Sequence, residues 1–90
     1  MKTLALLFFL SLINPLALLA QSAGDLLPKV SEALSEGKDD YAVSLFRQAA
    51  NAGVDQTEMF YWTNVDKNSA VAPRLVNELA TYYKRKRNYD

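Results

Sequence analysis

The chain has 90 residues, with ten Lys and Arg against ten Asp and Glu, so it carries no formal net charge. No overall positive field points to nucleic acid. It has neither His nor Cys. That excludes disulfides, Cys- or His-ligated zinc, cysteine nucleophiles and imidazole acid–base chemistry.

Lys2 precedes an apolar run from Leu4 to Ile13, interrupted only by Ser11. Asn14 and Pro15 then break the run before Leu16, Ala17, Leu18, Leu19 and Ala20. A positive start, an apolar core of about 7–15 residues and a small residue at the end define a secretory signal peptide. Cleavage is expected after Ala20, with Ser22 or Ala23 as the fallback. The predicted division is a signal peptide over residues 1–20 and a helical domain over 21–90. A spanning helix needs about 20 apolar residues, and Pro15 sits inside a run that barely reaches that. With no Cys near the cleavage point, a lipoprotein anchor is excluded. Export without cysteines suits the periplasm or cell envelope of a bacterium. Loss of the leader leaves 70 residues, nine of them basic and ten acidic. A chain of that size buries only about 60% of its unfolded surface. Marginal stability, or packing against something else, is expected.

The first element opens at Gly24-Asp25, with Asp25 as N-cap and Pro28 in the first turn. Leu26, Leu27, Val30, Ala33 and Leu34 recur at helical spacing, and Gly37 ends the helix. The second runs from about Asp39 to Ala52. Ala42, Phe46, Ala49, Ala50 and Gly53 form its stripe, with Leu45 beside it, a pattern of small residues that suits close helix packing. In the third, Asp55-Gln56-Thr57-Glu58 reads as a capping box. Met59, Phe60, Tyr61, Trp62 and Val65 then cover most of the circumference, so this helix is buried on two sides or presents aromatics to a partner. The fourth is expected from Asn68 or Ser69, with Pro73 in its first turn. Ala72, Leu75, Val76, Leu79, Ala80, Tyr82 and Tyr83 form its stripe, while Glu78 and Lys84-Arg85-Lys86-Arg87 face water. No segment alternates with period two, so no strand is predicted. Short links between helices force antiparallel neighbours. The fold class is all-α, with antiparallel helix pairs stacked as a short solenoid.

The stretch from Glu36 to Ala49 resembles the middle of a tetratricopeptide repeat. Gly37 holds the turn, Tyr41 the aromatic, Ala42 the small residue, Phe46 the aromatic four residues on, and Ala49 the small residue three further. Tyr41 stands closer to the Ala than that family usually has it. A second match begins at Leu79, where Ala80 and Tyr83 take the small and aromatic positions. Arg87 then stands where the family has Gly, and Asn88-Tyr89-Asp90 where it enters a second helix. On that register the chain stops in mid-repeat. Thr57 to Asp66 resembles a first helix with bulky residues at the small position. A strict 34-residue period pairs Ala42 with Val76 and Phe46 with Ala80, a fair match only. In the resembled family the first helices line a concave groove for peptides. The resemblance implies Tyr61, Asn64 and Asn68 as groove contacts, with Trp62 and Lys67 beside them.

Catalytic chemistry finds little footing. Asp39 and Asp40 are adjacent and point to different faces, and Glu32 and Glu36 suit a solvated face. No Ser sits in a nucleophile elbow, and no Gly-rich loop can cradle phosphate. A non-enzyme without cofactor or metal is expected. Lys84 to Arg87 reads as a solvated helix end that complements the helix dipole. The last helix is expected to leave the stripe Ala72, Leu75, Leu79 and Tyr82 open, since repeats bury their cores only by stacking. Leu75, Leu79 and Tyr82 are therefore contact candidates, for a partner or for self-association. The leading expectation is an exported protein–protein interaction module. The alternative is a small envelope protein that keeps residues 4–20 as an anchor and meets an anionic surface with its basic end.

Overall fold

The computed structural model describes residues 21–89; the predicted signal peptide over 1–20 lies outside the described residues. The four helices are α1 (Ala23–Ser35), α2 (Asp39–Ala52), α3 (Val54–Asn64) and α4 (Ala72–Tyr89). No strand occurs among the described residues.

α1 starts earlier than expected because Ser22, not Asp25, is its N-cap. The Asp25 N–H donates to Ser22 Oγ at 3.3 Å, and the Ser22 N–H donates to Asp25 Oδ2 at 3.5 Å. This reciprocal capping box satisfies two amides that have no intrahelical acceptor. Pro28 therefore lies one turn deeper than expected. Gly37 ends α1 with φ of +74°. There the Lys38 N–H donates to the Ala33 carbonyl at 2.9 Å and the Gly37 N–H to that of Leu34 at 3.1 Å. Both bonds of a Schellman motif are present, and the motif requires the left-handed backbone that glycine adopts without strain.

α2 occupies the predicted span. Ala42, Phe46, Ala49 and Ala50 are almost completely buried. α3 begins at Val54, with Gly53 in place of Asp55 as the capping residue. The fully buried Thr57 donates its hydroxyl to the Gly53 carbonyl at 2.8 Å. Gly53 is packed closely against the start of α1, since a Cβ there would lie 3.1 Å from the Ala23 Cβ. α4 begins at Ala72, several residues later than expected. The Asn68 N–H bonds to Asp66 Oδ1 at 3.0 Å and the Ser69 N–H to the Asp66 carbonyl at 3.0 Å. These turns use the amides that an earlier helix start would need. α4 then runs unbroken to Tyr89. The turn expected near Arg87 is absent.

The helix contacts follow a simple rule. Each helix packs against the next and the next but one: α1 on α2 and α3, α2 on α3 and α4, and α3 on α4. α1 does not reach α4. A closed four-helix bundle would bring first and last helices together. Contacts limited to near neighbours are those of an open stack. Polar ties set the register of α2 against α4. Arg74 meets Asp40 at 2.7 Å, Arg47 meets Glu78 at 2.9 and 3.2 Å, and Arg85 meets the Asn51 side chain at 2.8 Å. Both partners advance together along their helices, so α2 and α4 run parallel. The first and last ties each span 34 residues and the middle one spans 31. Glu78, expected in water, is largely covered because it receives this fork of hydrogen bonds from Arg47. The exposure of Arg47 to solvent keeps the contribution of the pair small.

Candidate functional site

The predicted open stripe on the last helix is closed. Leu75 is 0% exposed and Leu79 5%, and Ala72 is buried with them. α4 lays this face on α2, which places Leu75 among the largest fully buried side chains beside Phe46 and Val30. Leu75 and Leu79 are therefore core residues, not contacts. Tyr82, one turn on, stays half-buried and lines a notch with Asn51, Arg85 and Lys86.

The groove candidates separate as well. Tyr61 is 5% exposed, packed into the core beside Val65. Asn64 ends α3 and is exposed, with its amide donating to Thr63 Oγ1 at 2.9 Å. Asn68 lies in the α3–α4 loop, not one turn above Asn64 on a helix. The two do not form a ladder because α3 stops at Asn64. Lys67 is engaged within the molecule. Its ammonium donates to the carbonyls of Tyr61, Trp62 and Val65 at 3.0, 2.7 and 2.6 Å. Three donors meet three acceptors at the negative end of α3, which caps it.

Two surfaces remain, on opposite sides of α3. One side carries Asp55, Glu58, Met59 and Trp62, positions one turn apart. Met59 is 68% exposed and Trp62 58%. With Asp55, Glu58 and Thr63 they line a shallow hollow. α4 continues this surface with Val76, 38% exposed, the exposed Ala80, and Tyr83, 41% exposed. Tyr83 donates its hydroxyl to Glu58 Oε1 at 2.7 Å and so bridges the two helices. That bond to a carboxylate is the largest cause of the rise of the Tyr83 phenol to about 12. The sequence reading left α3 either buried on two sides or presenting its aromatics to a partner, and Trp62 takes the second course. That reading missed Val76 and Tyr83 as surface residues, because their stripe and that of Leu75 and Leu79 adjoin on one helix.

The 34-residue offset of two of the ties relates these residues to α2. Advancing Ala42, Phe46 and Ala49 of α2 by that offset gives Val76, Ala80 and Tyr83 of α4. The α2 set is fully buried. The equivalent α4 set is exposed, and no other helix among the described residues packs over it. By the contact rule, a following helix would touch α3 and α4, where Met59, Trp62, Val76 and Tyr83 stand.

The other side of α3 faces a cleft of about 360 Å³. Its walls are the end of α1, with Ser31, Leu34 and Ser35, the start of α2 at Asp39, and Phe60 and Asn64 of α3. Val65, Asp66, Ser69, Ala70 and Val71 of the α3–α4 loop close it. First helices of the two pairs thus line a concavity, and Asn64 is the groove candidate that reaches it.

No protein-family model matches the chain, and no curated protein matches it. A solved structure from Bacteroides ovatus ATCC 8483, described as a "putative protein binding protein", is 53% identical over 78% of this chain, with a TM-score of 0.73. The chain spans 34% of the length of that protein. The fold and its neighbour define a small all-α domain of stacked helix pairs, similar to part of a larger protein.

Proposed function

We propose that this chain is an exported, non-catalytic protein-interaction module whose docking face is Met59, Trp62, Val76, Ala80 and Tyr83. Its partner is an amphipathic helix of another protein, seated across α3 and α4 as a following repeat would be. One observation carries this reading: the exposed apolar residues of α4 stand at the positions whose equivalents in α2 are buried by the next helices. A contiguous exposed apolar face marks an interaction site. The Bacteroides ovatus neighbour supports the reading, since its description names protein binding. The tetratricopeptide-like assignment rests on Gly37, Ala42, Phe46 and Ala49 and on the 34-residue offset between α2 and α4. Export rests on Lys2 through Ala20.

Trp62 is the single tryptophan of the chain and reports directly on this face. The full chain is titrated with the portion of the Bacteroides ovatus protein outside its matched third. Docking shifts Trp62 emission to the blue, and Met59→Ser weakens binding by roughly tenfold, as expected for an apolar anchor. Unchanged Trp62 emission refutes the docking face. Concentration-dependent dimers lost in Met59→Ser replace the partner with a second copy. The N-terminus of protein recovered from cells tests export: Gln21 supports it, and an intact Met1 supports the anchored alternative.

A further inference from the structure

The cleft on the opposite side of α3 is distinct from the docking face and has its own chemistry. Its interior is apolar, formed by Leu34, Phe60, Val65 and Val71, of which Val65 and Val71 are buried. Its polar rim is one-sided. Asp39 and Asp66 supply carboxylates, and Ser31, Ser35, Ser69 and Asn64 supply hydroxyls and an amide. No Lys or Arg lines it. The nearby cations are engaged elsewhere. Lys38 pairs with Glu36 at 3.1 Å, Arg74 with Asp40 at 2.7 Å, and Lys67 with the three carbonyls that end α3. Among the described residues, neither Asp39 nor Asp66 has a cationic partner.

The loop wall is built before any ligand arrives. Asp66 Oδ1 holds the Asn68 N–H, and the Asp66 carbonyl accepts both the N–H and the hydroxyl of Ser69 at 3.0 and 2.7 Å. Asp66 Oδ2 takes no part in these bonds. On the facing wall the Ser35 hydroxyl donates to the Glu32 carbonyl at 2.7 Å, which leaves its oxygen lone pairs available as acceptors. Acceptors therefore predominate around the cleft, over an apolar floor. A long side chain with a methylene stem and a cationic head matches both parts: the stem lies on Leu34 and Phe60, and the head reaches the carboxylates. The volume suits a side chain better than a folded element, standing near the lower end of the roughly 300–1,000 Å³ range of ligand pockets.

We propose that this cleft recognises a lysine or arginine side chain on an extended segment of a partner protein, with Asp39 and Asp66 as its charge partners. The inference deepens the interaction-module reading, yet it uses a surface that the α3/α4 face does not share. Either can therefore fail alone.

The test uses the full chain and three blocked pentapeptides, alanine-based, with a central Lys, Gln or Glu. Binding is followed by amide chemical shifts. The Lys peptide is expected to move Ser31, Ser35, Asn64 and Ser69 while leaving the Met59 and Trp62 amides unmoved. The Gln and Glu peptides leave all of them in place. Asp39→Asn with Asp66→Asn keeps the hydrogen-bonding shape, and it should weaken the Lys peptide by about 3- to 10-fold, the range of two partly exposed ion pairs. Asp66→Asn alone, checked for unchanged helix content, covers the case in which the double variant fails to fold. Added salt should weaken binding likewise. Three results would overturn the proposal: equal binding of the Lys and Gln peptides, no shift in the cleft, or unchanged affinity in a folded Asp66→Asn variant. If a free alkyl diamine binds as tightly as the Lys peptide, the site reads a small amine and the protein source is wrong.

Discussion

Leu75→Ala and Val76→Ala are adjacent truncations on one helix with opposite expected outcomes. Leu75 is 0% exposed and packs against α2, whereas Val76 is 38% exposed. Truncating a buried Leu costs about 2–5 kcal/mol, because transfer energy is lost and a cavity remains. A core of this size rarely supplies more than about 3–5 kcal/mol in total, so Leu75→Ala should leave the domain close to unfolded. Melting falls by about 4–8 °C per kcal/mol in domains of this length, so a loss of about 3 kcal/mol lowers it by roughly 12–24 °C. Val76→Ala removes little buried surface and adds the better helix former, so it should stay within about 0.5 kcal/mol of the parent. Urea and thermal unfolding followed by circular dichroism give both numbers. If Leu75→Ala costs less than about 1 kcal/mol while Val76→Ala costs more, α4 is rotated and the wrong stripe has been assigned to the open face.

Gly37→Ala should cost about 1–2 kcal/mol through the left-handed backbone alone, since nothing lies within 4 Å of the added methyl. Gly37→Asn should cost less, and equal losses by thermal melting would count against a backbone cause. Gly53→Ala brings a methyl to 3.1 Å from the Ala23 Cβ, so Ala23→Gly should recover part of its loss, and strict additivity in a double-mutant cycle would deny the contact. Tyr83 should titrate towards about 12 instead of the ordinary 10.0, because its hydroxyl bonds to Glu58. A raised phenol contributes stability that is complete below pH 10.0 and is lost as pH rises towards about 12. Absorbance titration of Glu58→Gln should return Tyr83 towards the ordinary 10.0, and an unchanged curve would deny the bond. Lys67→Met removes the cap on α3 at a cost of about 1–2 kcal/mol, and amide exchange should quicken over Tyr61 to Val65. Unaltered exchange there would mean that the ammonium does not hold that helix end.

The ties between α2 and α4 bear on how the stack could extend. Asp40 to Arg74 and Asn51 to Arg85 repeat at one offset and fix two helices parallel. A third helix pair placed by the same operation would cover Val76, Ala80 and Tyr83. On the proposed reading, the α4 stripe would be such a covered surface, whereas scattered single apolar residues, such as the exposed Tyr41, need no such account.

Local signals alone determined the helix count, most helix spans and the all-α class. The i, i+3, i+4 spacing of Leu26, Leu27, Val30 and Ala33 and the glycine at 37 act within one or two turns of chain. The same holds for the small-residue stripe of Ala42, Phe46 and Ala49. Boundaries failed where a short-range competitor was overlooked. Ser22 outcompeted Asp25 as a cap, and Asp66 held the amides that would have started α4 early. Tertiary structure alone decided which apolar face is covered. α4 carries two adjoining stripes, Leu75 with Leu79 and Val76 with Ala80 and Tyr83, and both read alike in sequence. α2 lies against the first, so the second faces water. Likewise Lys67 reads as a neighbour of the groove contacts until the carbonyls of Tyr61, Trp62 and Val65 converge on it, and Asp39 and Asp66 share a cleft only once the helices stack. Periodicity fixes the angle of a residue around its own helix, but burial depends on where the next helix stands.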